Sequence, residues 1–154
     1  MATLTSNINY LTNINFQLVI PDYNNTNFFC QKMVLPGLII GEAIVNTPMN
    51  NWRFVGDKYQ YEPLIATLIV DEDMKNYLEI HNWMKDILVA GDVYPHLRQV
   101  SVILYSSHNN PIKTFVFNNA FPSSIGNIEL DITQRDVTYT VSQISFAYST
   151  FEII

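Results

Sequence analysis

Only one stretch of this chain, Asp71 to Ala90, carries apolar residues at helical spacing; elsewhere they alternate every second residue or cluster in short runs. Within it Met74, Tyr77, Leu78, Ile80, His81, Trp83, Met84, Ile87 and Leu88 fill one broad arc of a helical wheel, with Lys75, Glu79, Asn82, Lys85 and Asp86 on the remainder. Asp71, Glu72 and Asp73 are predicted to cap the free N–H groups of this helix and to face the positive end of its dipole. Gly91 is its natural stop. The arc is wider than one sheet face requires, so the helix can cover its own sheet and still meet a neighbour.

Around that helix the pattern is that of strands. Ile14, Phe16, Leu18 and Ile20 alternate with more polar positions, and Phe28 to Leu35 reads as a second strand after the turn residues Pro21 to Asn27, giving a hairpin. Leu35-Pro36-Gly37 breaks the run, and Leu38 to Asn46 and Met49 to Val55 read as two extended arms around Thr47-Pro48. Leu64 to Val70 is apolar on both faces, as in a covered central strand. Gln99 to Ser106 and Ile112 to Asn118 form another hairpin, and Phe121 to Gly126 reads as a turn leading to the alternating Ile128, Leu130 and Ile132. The final run, Val137 to Phe151, changes phase near Ser142-Gln143, which predicts a bulge there. The expected class is β-rich α+β: one antiparallel barrel or sandwich over 14–154 with a single flanking helix and a long hairpin arm, after a polar arm at 1–13.

Composition narrows the functions open to such a domain. Charged residues make up only 14% of the chain and aromatic residues 13%, which excludes a disordered polypeptide and leaves few charges to hold neighbouring molecules apart. The net charge of -6, with eight Lys and Arg scattered singly, argues against gripping nucleic acid. No basic and apolar leader opens the sequence, and no run approaches the length of a membrane span, so no membrane contact is expected.

Catalytic chemistry finds little support. His81, His96 and His108 have no metal-ligand spacing, and His81 lies on the apolar arc, where a core or interface role is expected. Cys30 is alone, within an apolar run where a thiol is usually an inert small hydrophobe. Asp71, Glu72 and Asp73 suit helix capping better than metal binding, and the five glycines are isolated. No cofactor is expected. The clearest clue is the arm: Ile39, Ile40, Ile44, Val45, Met49, Trp52 and Phe54 accompany only two charges between Leu38 and Val55, Glu42 and Arg53. Such a hairpin makes a poor solvent edge and a good intermolecular strand, although packing on its own sheet is equally open from composition alone.

Taken in order, these pieces resemble the tail tube proteins of contractile-tailed bacteriophages, whose fold is shared with type VI secretion inner-tube proteins. The likeness runs through Asn15-Phe16-Gln17-Leu18-Val19-Ile20, Phe28-Phe29-Cys30-Gln31-Lys32 leading to Leu35-Pro36-Gly37, and the arm ending in Val55-Gly56-Asp57. It continues through Thr67-Leu68-Ile69-Val70, Asp71-Glu72, the helix carrying Trp83, and Phe121 to Asp131 before the aromatic final strand.

The resemblance implies homo-hexameric rings stacked into a virion tail tube assembled in the host cytoplasm. Leu38 to Val55 would be the stacking arm, and Ile80, Trp83 and Ile87 would form an outward helix face toward a sheath protein. It also implies a baseplate tube initiator as partner, a tape measure protein in the lumen, and DNA passing without specific binding. Six chains would place about -36 on each ring before screening over ~8–10 Å. The repeating tube subunit is the expected role. Tube-initiating and tube-terminating subunits of the same fold are the nearer alternatives, and a soluble small-ligand barrel is the alternative of a different class.

Overall fold

The computed structural model describes residues 10–154, so most of the expected polar arm at 1–13 lies outside the described residues. Nine strands and two helices follow in the order β1 (Phe16–Val19), α1 (Asn24–Phe28), β2 (Cys30–Val34), β3 (Leu38–Asn46), β4 (Asn51–Tyr61), β5 (Leu64–Ile69), α2 (Lys75–Val89), β6 (Arg98–Tyr105), β7 (Pro111–Ile125), β8 (Val141–Ala147) and β9 (Thr150–Ile153). Seven strands form one antiparallel sheet in the order β1-β6-β7-β8-β5-β2, with β9 also on β7; β3 and β4 make a separate two-stranded sheet. The fold is the β-rich α+β class expected. The sheet ends on β1 and β2 without closing, so among the described residues it is an open, sandwich-like wrap and no closed barrel.

Strand β7 makes the wrap possible. Its first half pairs with β6 and β9 and its second half with β8, so one strand serves both halves of the sheet. The corner falls at Asn119, which takes φ 53 beside a register shift opposite Arg98 and Val100. An extra residue in one strand bends it and re-aims its far end. The predicted turn at Phe121 to Gly126 is therefore mostly strand, and Pro122 is tolerated beside the second register shift, between Pro122 and Ser124.

One core joins the two halves. Leu18 and Ile20 meet Val100, Val102 and Phe117 on one side and Leu64, Ala66, Leu68, Ile144 and Phe146 on the other, with Ile80 and Trp83 of α2 inserted. Strand β5 alternates buried and half-buried positions, and it runs between β2 and β8 as a central strand should. The predicted bulge near Ser142-Gln143 is absent. Ser142, Ile144 and Phe146 share the buried phase, and the out-of-phase Val137 and Tyr139 lie before β8 begins, in irregular chain. The phase change thus marks the start of a strand.

The first predicted hairpin is also replaced. β1 pairs with β6 and β2 with β5, and the intervening residues form α1. A five-residue helix has too few internal bonds to hold itself. Here Glu79 of α2 supports it: its carboxylate accepts from Asn25 Nδ2 at 2.6 Å, the Thr26 amide at 3.0 Å and the Thr26 hydroxyl at 2.8 Å.

Candidate functional site

The β3–β4 hairpin projects from the body as a sheet of its own, and every residue of it except Gly56 is exposed. Cross-strand register sorts its side chains. Beyond the bulge, Ala43 and Val45 lie opposite Phe54 and Trp52 on one face, where the Trp52 and Phe54 rings stack at 6.5 Å. The other face alternates Glu42, Ile44, Arg53 and Val55, with Glu42 Oε2 accepting from Arg53 Nη1 at 3.0 Å. Trp52 is 58% exposed and Met49 at the tip 97%. An apolar face this continuous is rare on a surface that stays in water.

A free two-stranded hairpin is marginal by itself, so its root must hold it. Tyr61 packs against Tyr148 and Phe151 at centroid distances of 5.8 and 5.7 Å. The Tyr148 hydroxyl donates to the Glu62 carbonyl at 2.7 Å, and burial, with Tyr61 and Glu62 nearby, pushes that hydroxyl up to about 12. The Glu62 carboxylate in turn accepts from the Gly37 amide at 3.0 Å. Midway along the arm, Gly41 stands opposite a three-residue bulge, and a Cβ on Gly56 would collide with the Gly41 carbonyl. Glycine there lets the two backbones close up.

The other residues singled out from sequence are placed differently. Ile80 and Trp83 do not face outward: both are essentially inaccessible, and Ile87 is half-buried against the same core. Trp83 stacks on Tyr23 at 4.9 Å and donates from Nε1 to the His96 carbonyl at 2.7 Å. The sheet wraps around α2, so the centre of the apolar arc goes inward. Its flanks, Met74, Leu78 and Leu88, with Val89 beyond, remain exposed. His81 also falls on the exposed side, not in the core.

Asp71, Glu72 and Asp73 do not cap α2. The helix starts at Lys75 after Met74 in a left-handed conformation, with no side-chain cap, and Asp73 pairs with Lys75 at 2.7 Å. That contact holds the Asp73 carboxyl below its ordinary range. Asn76, fully buried, organises this corner instead. Its Nδ2 donates to the Ile69 carbonyl at 2.6 Å, and its Oδ1 accepts from the Asp71 and Tyr77 amides at 3.2 and 2.8 Å. Replacing Asn76 by Ala should destabilise the fold by about 2–3 kcal/mol, since buried backbone groups lose their partners. Equilibrium urea unfolding measures it, and an effect below ~0.5 kcal/mol would contradict the assignment.

Burial pushes the Cys30 thiol up to about 11, despite a weak contact to the Lys32 carbonyl. At pH 8 its thiolate fraction should be about two orders of magnitude below that of an unstructured cysteine. Iodoacetamide labelling of the folded chain at pH 8 should be slower in that proportion, recovering in denaturant. His81, His96 and His108 lie on α2, in the short 3-10 turn Tyr94–His96 and in the β6–β7 turn. Among the described residues no group of three or more His, Cys, Asp or Glu is placed to hold a metal ion. None of their helices is long and apolar enough to cross a membrane.

No family model matches the sequence. The tail tube terminator protein of Enterobacteria phage T4 is 24% identical over 94% of this chain and 89% of its own length. Among solved structures, a chain of the PVC sheath/tube terminator of an extracellular contractile injection system superposes with a TM-score of 0.74 at 15% identity, covering 96% of this chain and 99% of that one. The tube-terminating cap of the anti-feeding prophage gives 0.74 at 14% identity over 99% and 95% of the two chains. The chain has the contractile tail tube fold. That fold extends to Hcp1 of Flavobacterium johnsoniae, with a TM-score of 0.54 at 9% identity over 90% and 94% of the two chains. The tube-fold likeness thus spans both the open sheet and the projecting hairpin of the present chain.

Proposed function

We propose that this protein is the terminating subunit of a contractile tail or injection-system tube: a structural, non-enzymatic virion component that closes the end of the inner tube as a hexameric ring. The observation that carries a tube-building role is the uncovered β3–β4 hairpin, whose apolar face has no partner within its own described chain. Its rooted, projecting form suits insertion into a neighbouring ring. Ile39, Ile40, Glu42, Ile44, Val45, Met49, Trp52, Arg53 and Phe54 would make that contact.

The terminator reading is favoured over the repeating subunit expected from sequence. The likeness to a tail tube terminator runs across 94% of this chain and 89% of that protein. A terminator meets the tube on one side and stops its growth, so ring stacking must be one-sided. The partners of this reading are the last tube ring, the sheath end and, in the channel, passing DNA and the tape measure protein. A low count of basic residues lets a phosphate backbone slide past.

Electron microscopy of the purified chain tests this, alone and with preformed tubes. The expected result is discrete six-fold rings that do not polymerise and that sit at one end of the tubes. Spontaneous growth of long tubes from this chain alone would make it the repeating subunit. Monomers that ignore tube ends would remove both readings.

A further inference from the structure

Strands β2, β5 and β8 lie side by side and share two ends. Val34, Leu64 and Phe146 stand at one of them, and Cys30, Ile69 and Val141 at the other. The β3–β4 hairpin leaves from the first, because β3 follows β2 and β4 leads into β5. The long connection between β7 and β8, residues 126–140, sits at the second, about 20 Å away along β5.

That connection forms no strand or helix, and yet it is pinned in place. At its start the Gly126 amide donates to the Gln143 carbonyl at 2.6 Å, and the Ser142 hydroxyl donates to the Gly126 carbonyl at 3.1 Å. At its end the Val70 amide donates to the Thr140 carbonyl at 2.8 Å. Between these anchors Asp131 Oδ1 accepts from the Thr133 amide and hydroxyl at 2.8 and 2.6 Å, which holds its carboxyl below the ordinary range. The loop roofs an apolar groove of about 800 Å³, with Phe29, Ile69 and Val70 on the body side and Ile128, Leu130 and Tyr139 on its own. Charge sets this end apart. The loop carries Glu129, Asp131 and Asp136 against Arg135, and Asp71 and Glu72 also line the groove, whereas Glu42, Arg53, Asp57 and Lys58 of the hairpin cancel. Irregular connections of this length inside a compact domain are mostly functional.

Resting on the terminator reading above, we propose that the 126–140 loop is the growth stop, covering the end of the subunit that would otherwise receive the hairpin of a further ring. In a head-to-tail stack, donor and acceptor are different surfaces of one subunit, and here the donor hairpin and the loop leave the sheet from opposite ends. A hairpin arriving at the far end finds the apolar groove already roofed by Ile128, Leu130 and Tyr139. It also meets the carboxylates of Glu129 and Asp131, both exposed. Seating the Trp52 and Phe54 face on them takes charge out of water, and Arg53 on the arriving arm is already paired with Glu42. A repulsive element of this kind selects one side of the ring for stacking by penalising the other.

Preformed tubes with an excess of chain test it, electron microscopy and co-sedimentation reading the copies bound per tube end. The parent should stop after one ring. A chain with 127–139 replaced by a Gly/Ser linker of about six residues should keep adding rings, placing roughly tenfold more copies on each end. Glu129→Gln with Asp131→Asn and Asp136→Asn keeps the loop at full length and should also pass the first ring. A folded shortened chain that stops at one ring overturns the growth stop and leaves the terminator reading intact. Growth that persists after Gly41 is also joined to Gly56 overturns it too, since the added rings then stack without the hairpin. Should the shortened chain fail to fold, the charge variant decides: layers beyond the first support the stop, and a single layer overturns it. A parent that itself adds ring upon ring, or leaves tube ends bare, removes the terminator reading and the stop with it.

Discussion

A chain in which Gly41 is joined directly to Gly56, with 42–55 removed, should melt within about 2 °C of the parent and no longer hold a tube end. The cut falls across the paired residues Glu42 and Val55, so the shortened hairpin keeps its register and turns through Gly41, Gly56 and Asp57. The excised part contributes nothing to the buried core, which draws on β1, β5, β6, β7, β8 and α2. Its root contacts through Tyr61, Glu62 and Tyr148 also remain. Differential scanning calorimetry gives the melting point, and co-sedimentation with tubes gives the capping. A large fall in stability would assign the arm to the subunit's own core, and full capping by the shortened chain would place the stacking surface elsewhere.

Trp83→Ala should have the largest effect on stability, about 3–5 kcal/mol, from lost contact area and the cavity left behind. At ~2–4 °C per kcal/mol for a domain near this size, the midpoint should drop by roughly 10 °C. Trp83 stacks on Tyr23, meets Phe146 at 6.1 Å and satisfies the His96 carbonyl, so three elements loosen together. Trp83→Phe keeps most of the packing and leaves that carbonyl unpaired, and should lose about 1–3 kcal/mol. Near-native stability in Trp83→Ala would return this residue to an outward, partner-facing role.

Local patterns were legible wherever one strand or helix face buries itself. The alternation of β1, the apolar run of β5, the helical arc of α2, the β6–β7 hairpin and the extended arm all stand where their periods place them. The resemblance to tube proteins rested on their order. Errors cluster where a distant group decides. Glu79 and Thr26 stand far apart in sequence, so nothing local announced that α1 would be held by a carboxylate on another helix. Asn76 likewise organises the corner that the acidic run was expected to cap, because its amide reaches the end of β5. The helical arc showed how much apolar surface α2 carries, but not which part of it the sheet would cover.

Spacing of apolar residues and scarcity of charge determined, without any structure, a β-rich domain with one substantial helix and a long hairpin arm. Periodicity is a property of neighbouring residues, so it survives in the sequence. The tertiary structure alone decided that the sheet stays open between β1 and β2, that β7 turns the corner at Asn119, and that Trp83 points inward. Each of those outcomes depends on which remote strand or helix arrives to complete a hydrogen-bond ladder or fill a volume, and no single stretch of sequence contains both partners.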